Sequence, residues 1–137
     1  MRIAALVLWI ATAWAGLYLL VIWLSRVGVR PWADKAARFS FILICAHPAL
    51  AATGLGLWVA YLATAQVRLA WAAFGVLCGA ALLGFTMLAR HLAVRGGRHA
   101  PQAARHFPGY VVAAHVSVGV ATFTVVLITA TIVSRGG

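Results

Sequence analysis

The stretch 39–63, FSFILICAHPALAATGLGLWVAYLA, decides the fold. It carries no charged residue and a single histidine, His47. An α-helix rises about 1.5 Å per residue and a bilayer core is about 30 Å thick, so about 20 apolar residues suffice to cross. Strands of a membrane barrel alternate apolar and polar positions, whereas this stretch is apolar on nearly every face. It reads as a membrane-spanning helix.

Working outward, three more such stretches stand at about 3–24, 69–94 and 109–133. The chain is 65% hydrophobic and 9% charged, with a mean hydropathy of +1.02. Soluble domains run nearer 45–50% apolar and about 25% charged. The expectation is an all-α integral membrane protein: a single domain over 1–137, its four transmembrane helices in an up-down antiparallel bundle. The connection Thr64–Arg68 is so short that it forces a helical hairpin, while Ser25–Arg38 and Arg95–Pro108 are longer, polar and basic. No internal repeat is evident. The opening MRIAALVLWIATAWA has small residues at Ala13 and Ala15 that suit a signal-peptide cleavage site. Its apolar run continues to Leu24, longer than the roughly 7–15 residues of a signal-peptide core, so an uncleaved first span is expected.

The net charge is +10, with Asp34 the only acid. No recognised nucleic-acid motif accompanies this charge, and the basic residues sit in loops and at helix ends, where they signal topology and meet anionic lipid headgroups. Four spans put both termini on one side with the short connection. That side carries Arg2, Arg68 and Arg135; the other carries Arg26, Arg30, Lys35, Arg38, Arg90, Arg95, Arg98 and Arg105. The positive-inside rule therefore makes the two long loops cytoplasmic and both termini external, in a bacterial inner or plasma membrane. Trp23 and Tyr110 fall near the cytoplasmic interface. Trp58, Tyr61 and Trp71 fall near the outer one, and Trp14 and Tyr18 are deep enough to pack between helices.

Within the spans, His47 and His115 stand out, because an ionisable side chain in hydrocarbon is costly and marks a functional-site candidate. His47 is eight residues into span two and His115 six residues into span four, both counted from the cytoplasmic side. At about 12 Å and about 9 Å by helical rise, they share a leaflet. Spans two and four are parallel and diagonal in an up-down bundle. Two inward histidines there can ligate one haem iron from both faces. Ala51 and Gly54 follow His47 by one and two turns, and Gly119 follows His115, leaving room for a flat macrocycle. Arg38, Arg90 and Arg105 lie toward the nearer surface, suited to anionic propionates.

This pattern of four spans with His47 and His115 resembles the cytochrome b type of membrane haem protein, in which a four-helix bundle supplies paired axial histidines. The resemblance implies haem b and electron transfer within the membrane, to or from a quinone or a redox protein partner, and a possible role as a component of a quinone-linked oxidoreductase. This chain has one histidine on each ligand helix where respiratory cytochromes b have two, which puts a second, stacked haem in doubt.

Other readings stay open. His91, with Met87 one turn deeper, offers an alternative axial ligand, or else sits beside Arg90 at the interface. His99 and His106 belong to the third loop. Structural roles are also available: Pro48 leaves the Ile44 carbonyl without its helical donor, which His47 can cap, and His115 can bond across the bundle to Ser40 or Thr86. Three histidines in one leaflet also suit copper or zinc, as in a small metal-handling or transport protein. A non-enzymatic accessory subunit of a larger membrane complex is the remaining alternative. No Asp or Glu lies in any span, which argues against a carboxylate-bridged metal centre, a proton relay and a Ser–His–Asp hydrolase. No catalytic residue is assigned. Cys45 and Cys78 read as small apolar residues without a disulfide framework. Gly75 and Gly79 form a G-x-x-x-G followed by Gly84, a seam for packing within the bundle or for a homodimer.

Overall fold

The computed structural model describes residues 1–27, 35–95 and 109–136. Arg105, His99, His106 and Asp34 lie outside the described residues. Four α-helices account for nearly all the rest: α1 (Arg2–Val27), α2 (Lys35–Thr64), α3 (Val67–Arg95) and α4 (Gly109–Arg135). Each is long and apolar enough to cross a membrane, and no strand is present among the described residues. Without water to pair with, a backbone in hydrocarbon must bond to itself, and a helix does so locally. Pro48 sits inside α2 without ending it.

Between α2 and α3 only Ala65 and Gln66 are non-helical. Ala65 takes a left-handed conformation (φ 56°), the usual way to close a helix end. Its N–H donates to the Tyr61 carbonyl at 2.8 Å, and the Leu69 N–H donates to Gln66 at 3.0 Å. The chain thus reverses in two residues, and α3 runs back along α2.

The bundle is antiparallel. The α2–α3 and α1–α4 pairs are packed most extensively, the α1–α2 and α3–α4 pairs more sparsely. α2 and α4 are therefore diagonal. The two close pairs face each other across a looser seam, and that seam positions the site.

One half of the bundle is tightly filled. Trp9, Trp58, Tyr61, Ala5, Ala70, Ala73, Val126 and Ala130 form a buried core. Trp9 lies against Gly54, where a Cβ would stand 2.7 Å from its Cζ2. Its indole N–H donates to the Ala51 carbonyl at 3.2 Å, and that of Trp58 donates to the Arg2 carbonyl at 3.3 Å. Trp58 and Tyr61 are wholly buried between the helices, packed with Ala70 and Ala73 of α3 in the same core. Trp14 and Tyr18, expected between helices, point outward at 68% and 52% exposure. They continue a stripe through Ile3, Val7, Ile10, Leu17, Val21 and Leu24 on the outer face of α1. Within the bundle the G-x-x-x-G is not one contact: a Cβ at Gly79 would stand 3.5 Å from Leu50 Cδ1, while one at Gly75 would meet nothing within 4 Å.

Beyond Thr122, toward the ends of α1 and α3, packing thins. Leu43 is the only apolar side chain buried in that half among the described residues, Ala80 lying at the middle.

Candidate functional site

The thinly packed half contains His47 on α2 and His115 on α4. Their ring centres are 6.1 Å apart and their planes stand at 75°. Each ring is held by a helix of the close pair to which its own helix belongs. The His47 Nδ1–H donates to the Ala80 carbonyl on α3 at 2.8 Å. The His115 Nδ1–H donates to the Thr12 carbonyl on α1 at 3.1 Å. A carbonyl can only accept, so the proton must be on Nδ1 in both rings. In a neutral imidazole that leaves Nε2 as a bare lone pair, the usual form of a metal-ligating histidine. Among the described residues, no side chain or backbone group partners either Nε2.

A glycine backs each ring. A Cβ at Gly84, one turn along α3 from Ala80, would stand 3.0 Å from His47 Cε1. A Cβ at Gly16, one turn along α1 from Thr12, would stand 3.0 Å from His115 Cε1. Any side chain at either position would press on the ring and tilt it. The carbonyl fixes the tautomer, and the glycine lets the ring lie flat against the neighbouring helix. Neither glycine belongs to the sequence-derived set. The signal available was a glycine at similar depth on each of the two helices that pack against a ligand-bearing helix, Gly16 on α1 and Gly84 on α3.

Among the described residues, the alternative bonds to Ile44 and Thr86 do not form. His47 reaches across to Ala80 rather than back to Ile44, because its ring projects over the α2–α3 contact. His115 bonds Thr12 rather than Thr86, whose hydroxyl donates to its own helix at Leu82; the Ser40 side chain lies outside the described residues.

Of the proposed small residues, Gly119 lies in the α1–α4 contact, where a Cβ would stand 3.7 Å from the Thr12 methyl. Ala51 offers its carbonyl to Trp9, and the space over Gly54 is taken by the same indole. Trp9 thus floors the region on the far side from the loops. Below the rings the Thr12 and Thr122 hydroxyls meet at 2.9 Å. Toward the loops, an apolar cleft of about 310 Å³ opens between α3 and α4, lined by Leu88, Val112, Ala113, Val116 and Ser117.

Arg90 is exposed near the end of α3, and Met87 is half-buried one turn from it. Arg38 and His91 lie in α2 and α3, but their side chains are outside the described residues. Among the described residues, no three His, Cys, Asp or Glu side chains gather into a group that could close around an ion. Cys45 and Cys78 are free.

Compared with protein families, with curated proteins and with solved structures, the chain matches none.

Proposed function

We propose that this chain is a small integral-membrane b-type haem protein that transfers electrons within the membrane, with His47 and His115 as the two axial ligands of one haem. The observation that carries this reading is the ring separation. An imidazole nitrogen is about 1.15 Å from its ring centre and bonds a metal at about 2.0 Å, so two collinear ligands have centres about 6.3 Å apart. The separation here is 6.1 Å. The Nδ1 bonds to backbone carbonyls support the same reading, because such second partners orient the ring and raise its basicity toward iron.

The seam between the two close helix pairs supplies the slot. Thin packing there, glycines behind both rings and Trp9 below suit a flat apolar macrocycle entering edge-on. A haem held by two nitrogens supplies a one-electron couple, and axial ligation, hydrogen bonding and burial set its potential. The chain's part is to hold both rings in one tautomer. Arg38, Arg90 and Arg105, on the loop side of both histidines in the sequence, are the residues assigned to the propionates in this reading.

In this reading the long loops are cytoplasmic and both termini external, in a bacterial inner or plasma membrane. The partners are lipids together with a quinone or a redox protein, with a larger membrane complex or a homodimer as the possible setting. The accessory-subunit reading treats the two Nδ1–carbonyl bonds as helix-to-helix ties worth about 1 kcal/mol each. It leaves both Nε2 atoms without a role. A metal-handling reading requires a donor group of a kind not found among the described residues.

The test is the reduced-minus-oxidised absorption spectrum of the purified protein. Bis-histidine haem gives a Soret band and sharp α and β bands on reduction. A helical, monodisperse protein that remains colourless when made in haem-replete cells contradicts the proposal.

A further inference from the structure

The site repeats itself at a fixed interval. His115 follows His47 by 68 residues, Gly84 follows Gly16 by 68, and Ala80 follows Thr12 by 68. These six residues make the two ring-holding sets, and their geometry matches. The distances from the glycine Cβ position to Cε1, Nδ1 and Nε2 are 3.0, 3.4 and 3.9 Å for His47. They are 3.0, 3.5 and 3.8 Å for His115. The same interval relates buried positions remote from the rings: Ala5 to Ala73, and Trp58 to Val126, all four at 0% exposure. The ends of α1 and α3, Val27 and Arg95, also correspond.

Packing obeys the same exchange. Replacing α1 by α3 and α2 by α4 turns the close pair α2–α3 into the close pair α1–α4, and one sparse pair into the other. The sequence at this register keeps Ala46-His47 against Ala114-His115, Leu20 against Leu88, and the small residues Ala51 against Gly119. The two halves are therefore related by a local twofold axis running along the bundle between the rings.

We infer that the chain is two copies of one helical hairpin, and that its ring site, built on the twofold axis between them, accepts haem in both of its rotational orientations in comparable amounts. This rests on the haem reading. Haem b is not symmetric about the axis that passes between its propionates: a half-turn about that axis exchanges its two faces and swaps vinyl with methyl positions. With propionates toward one end of the bundle, that axis lies along the protein's own twofold. The half-turn then presents each face to the other histidine, glycine and carbonyl, at the same distances. The walls differ at Thr12 against Ala80, Pro48 against Val116, Trp9 against Leu77 and Gly54 against Thr122, so the two populations are expected within about tenfold of each other.

The test is proton NMR of the ferric, detergent-solubilised full chain, reading the hyperfine-shifted haem methyl signals. Two sets of comparable intensity are expected, collapsing to one set when the protein is reconstituted with a haem that is itself symmetric about the propionate axis. Gly84→Ala, which crowds only the His47 side, should skew the ratio in one direction, and Gly16→Ala in the other. A single set, or one set more than about tenfold stronger, overturns the inference while leaving the haem assignment intact. Doubling that persists with the symmetric haem also overturns it, since the heterogeneity then belongs to the protein. Failure of the haem reading is seen separately, as absence of any haem signal.

Discussion

The imidazole planes of His47 and His115 stand at 75° to one another with their centres 6.1 Å apart. Each plane is fixed by its own hydrogen bond, to Ala80 and to Thr12 respectively. The angle is therefore built into the helices rather than left to the ligand. Near-perpendicular axial planes leave the iron d-orbitals of a low-spin ferric haem almost degenerate. The expected EPR spectrum is a strongly anisotropic signal with a large leading g-value. A rhombic three-line spectrum, the mark of parallel planes, would show that the rings turn on binding.

Removing either ligand should act on the cofactor more than on the fold. His47→Ala and His115→Ala are each expected to abolish the low-spin bis-histidine spectrum, and added imidazole should restore it in part. His91→Ala should retain the spectrum. Retention in the His115 variant would transfer the ligand role to His91.

The glycines behind the rings give a second handle. Gly16→Val and Gly84→Val place a branched side chain where even a Cβ meets Cε1 at 3.0 Å. Either change should reduce haem content at least about tenfold, equivalent to about 1.4 kcal/mol or more of binding. The helix content by circular dichroism should be unchanged. Gly56→Val, at a position with nothing within 4 Å, is the control and should bind normally.

Stability should respond elsewhere. Gly54→Ala puts a methyl 2.7 Å from Trp9 Cζ2 and 3.5 Å from the Ala73 carbonyl. Overpacking of this kind costs about 1–3 kcal/mol. Gly75→Ala meets nothing within 4 Å and should gain up to about 1 kcal/mol from helix propensity. Thermal unfolding in detergent should separate the two variants in opposite directions from the parent.

The α2–α3 turn offers a simpler case. Ala65 occupies the left-handed region at φ 56°, which costs a residue with a Cβ about 1–2 kcal/mol. Ala65→Gly removes that cost at the price of a more flexible unfolded chain. The net expectation is a gain of up to about 1 kcal/mol in the same unfolding assay.

The four helices were legible because hydrocarbon imposes a length and a composition that need no partner to be read. The parallel course of α2 and α4 is legible from the count of spans, whereas their diagonal placement rests on the simplest up-down order and is seen only in the packing of α2 on α3 and α1 on α4. The ring supports were not legible. Gly16 and Gly84 look like any other glycine in an Ala- and Gly-rich chain until His115 and His47 are seen to lie on them. The outward stripe on α1 is not legible for a related reason: when every face is apolar, periodicity does not say which one points inward. Trp9 over Gly54 belongs to the same class, a contact between helices that no single-helix pattern encodes. The 68-residue repeat is not legible in the sequence because most of its matched positions are Ala, Leu or Gly, which coincide often by chance. Only contact geometry picks out His47 and Gly16 with their counterparts.

The central claim is one haem between His47 and His115, and haem content per chain tests it most directly. Extraction into alkaline pyridine, with protein measured by amino-acid analysis, should return one haem b per chain for the parent protein. The His47→Ala/His115→Ala double variant should return essentially none. A folded parent protein with no extractable haem, or a double variant that keeps its full complement, would contradict the account.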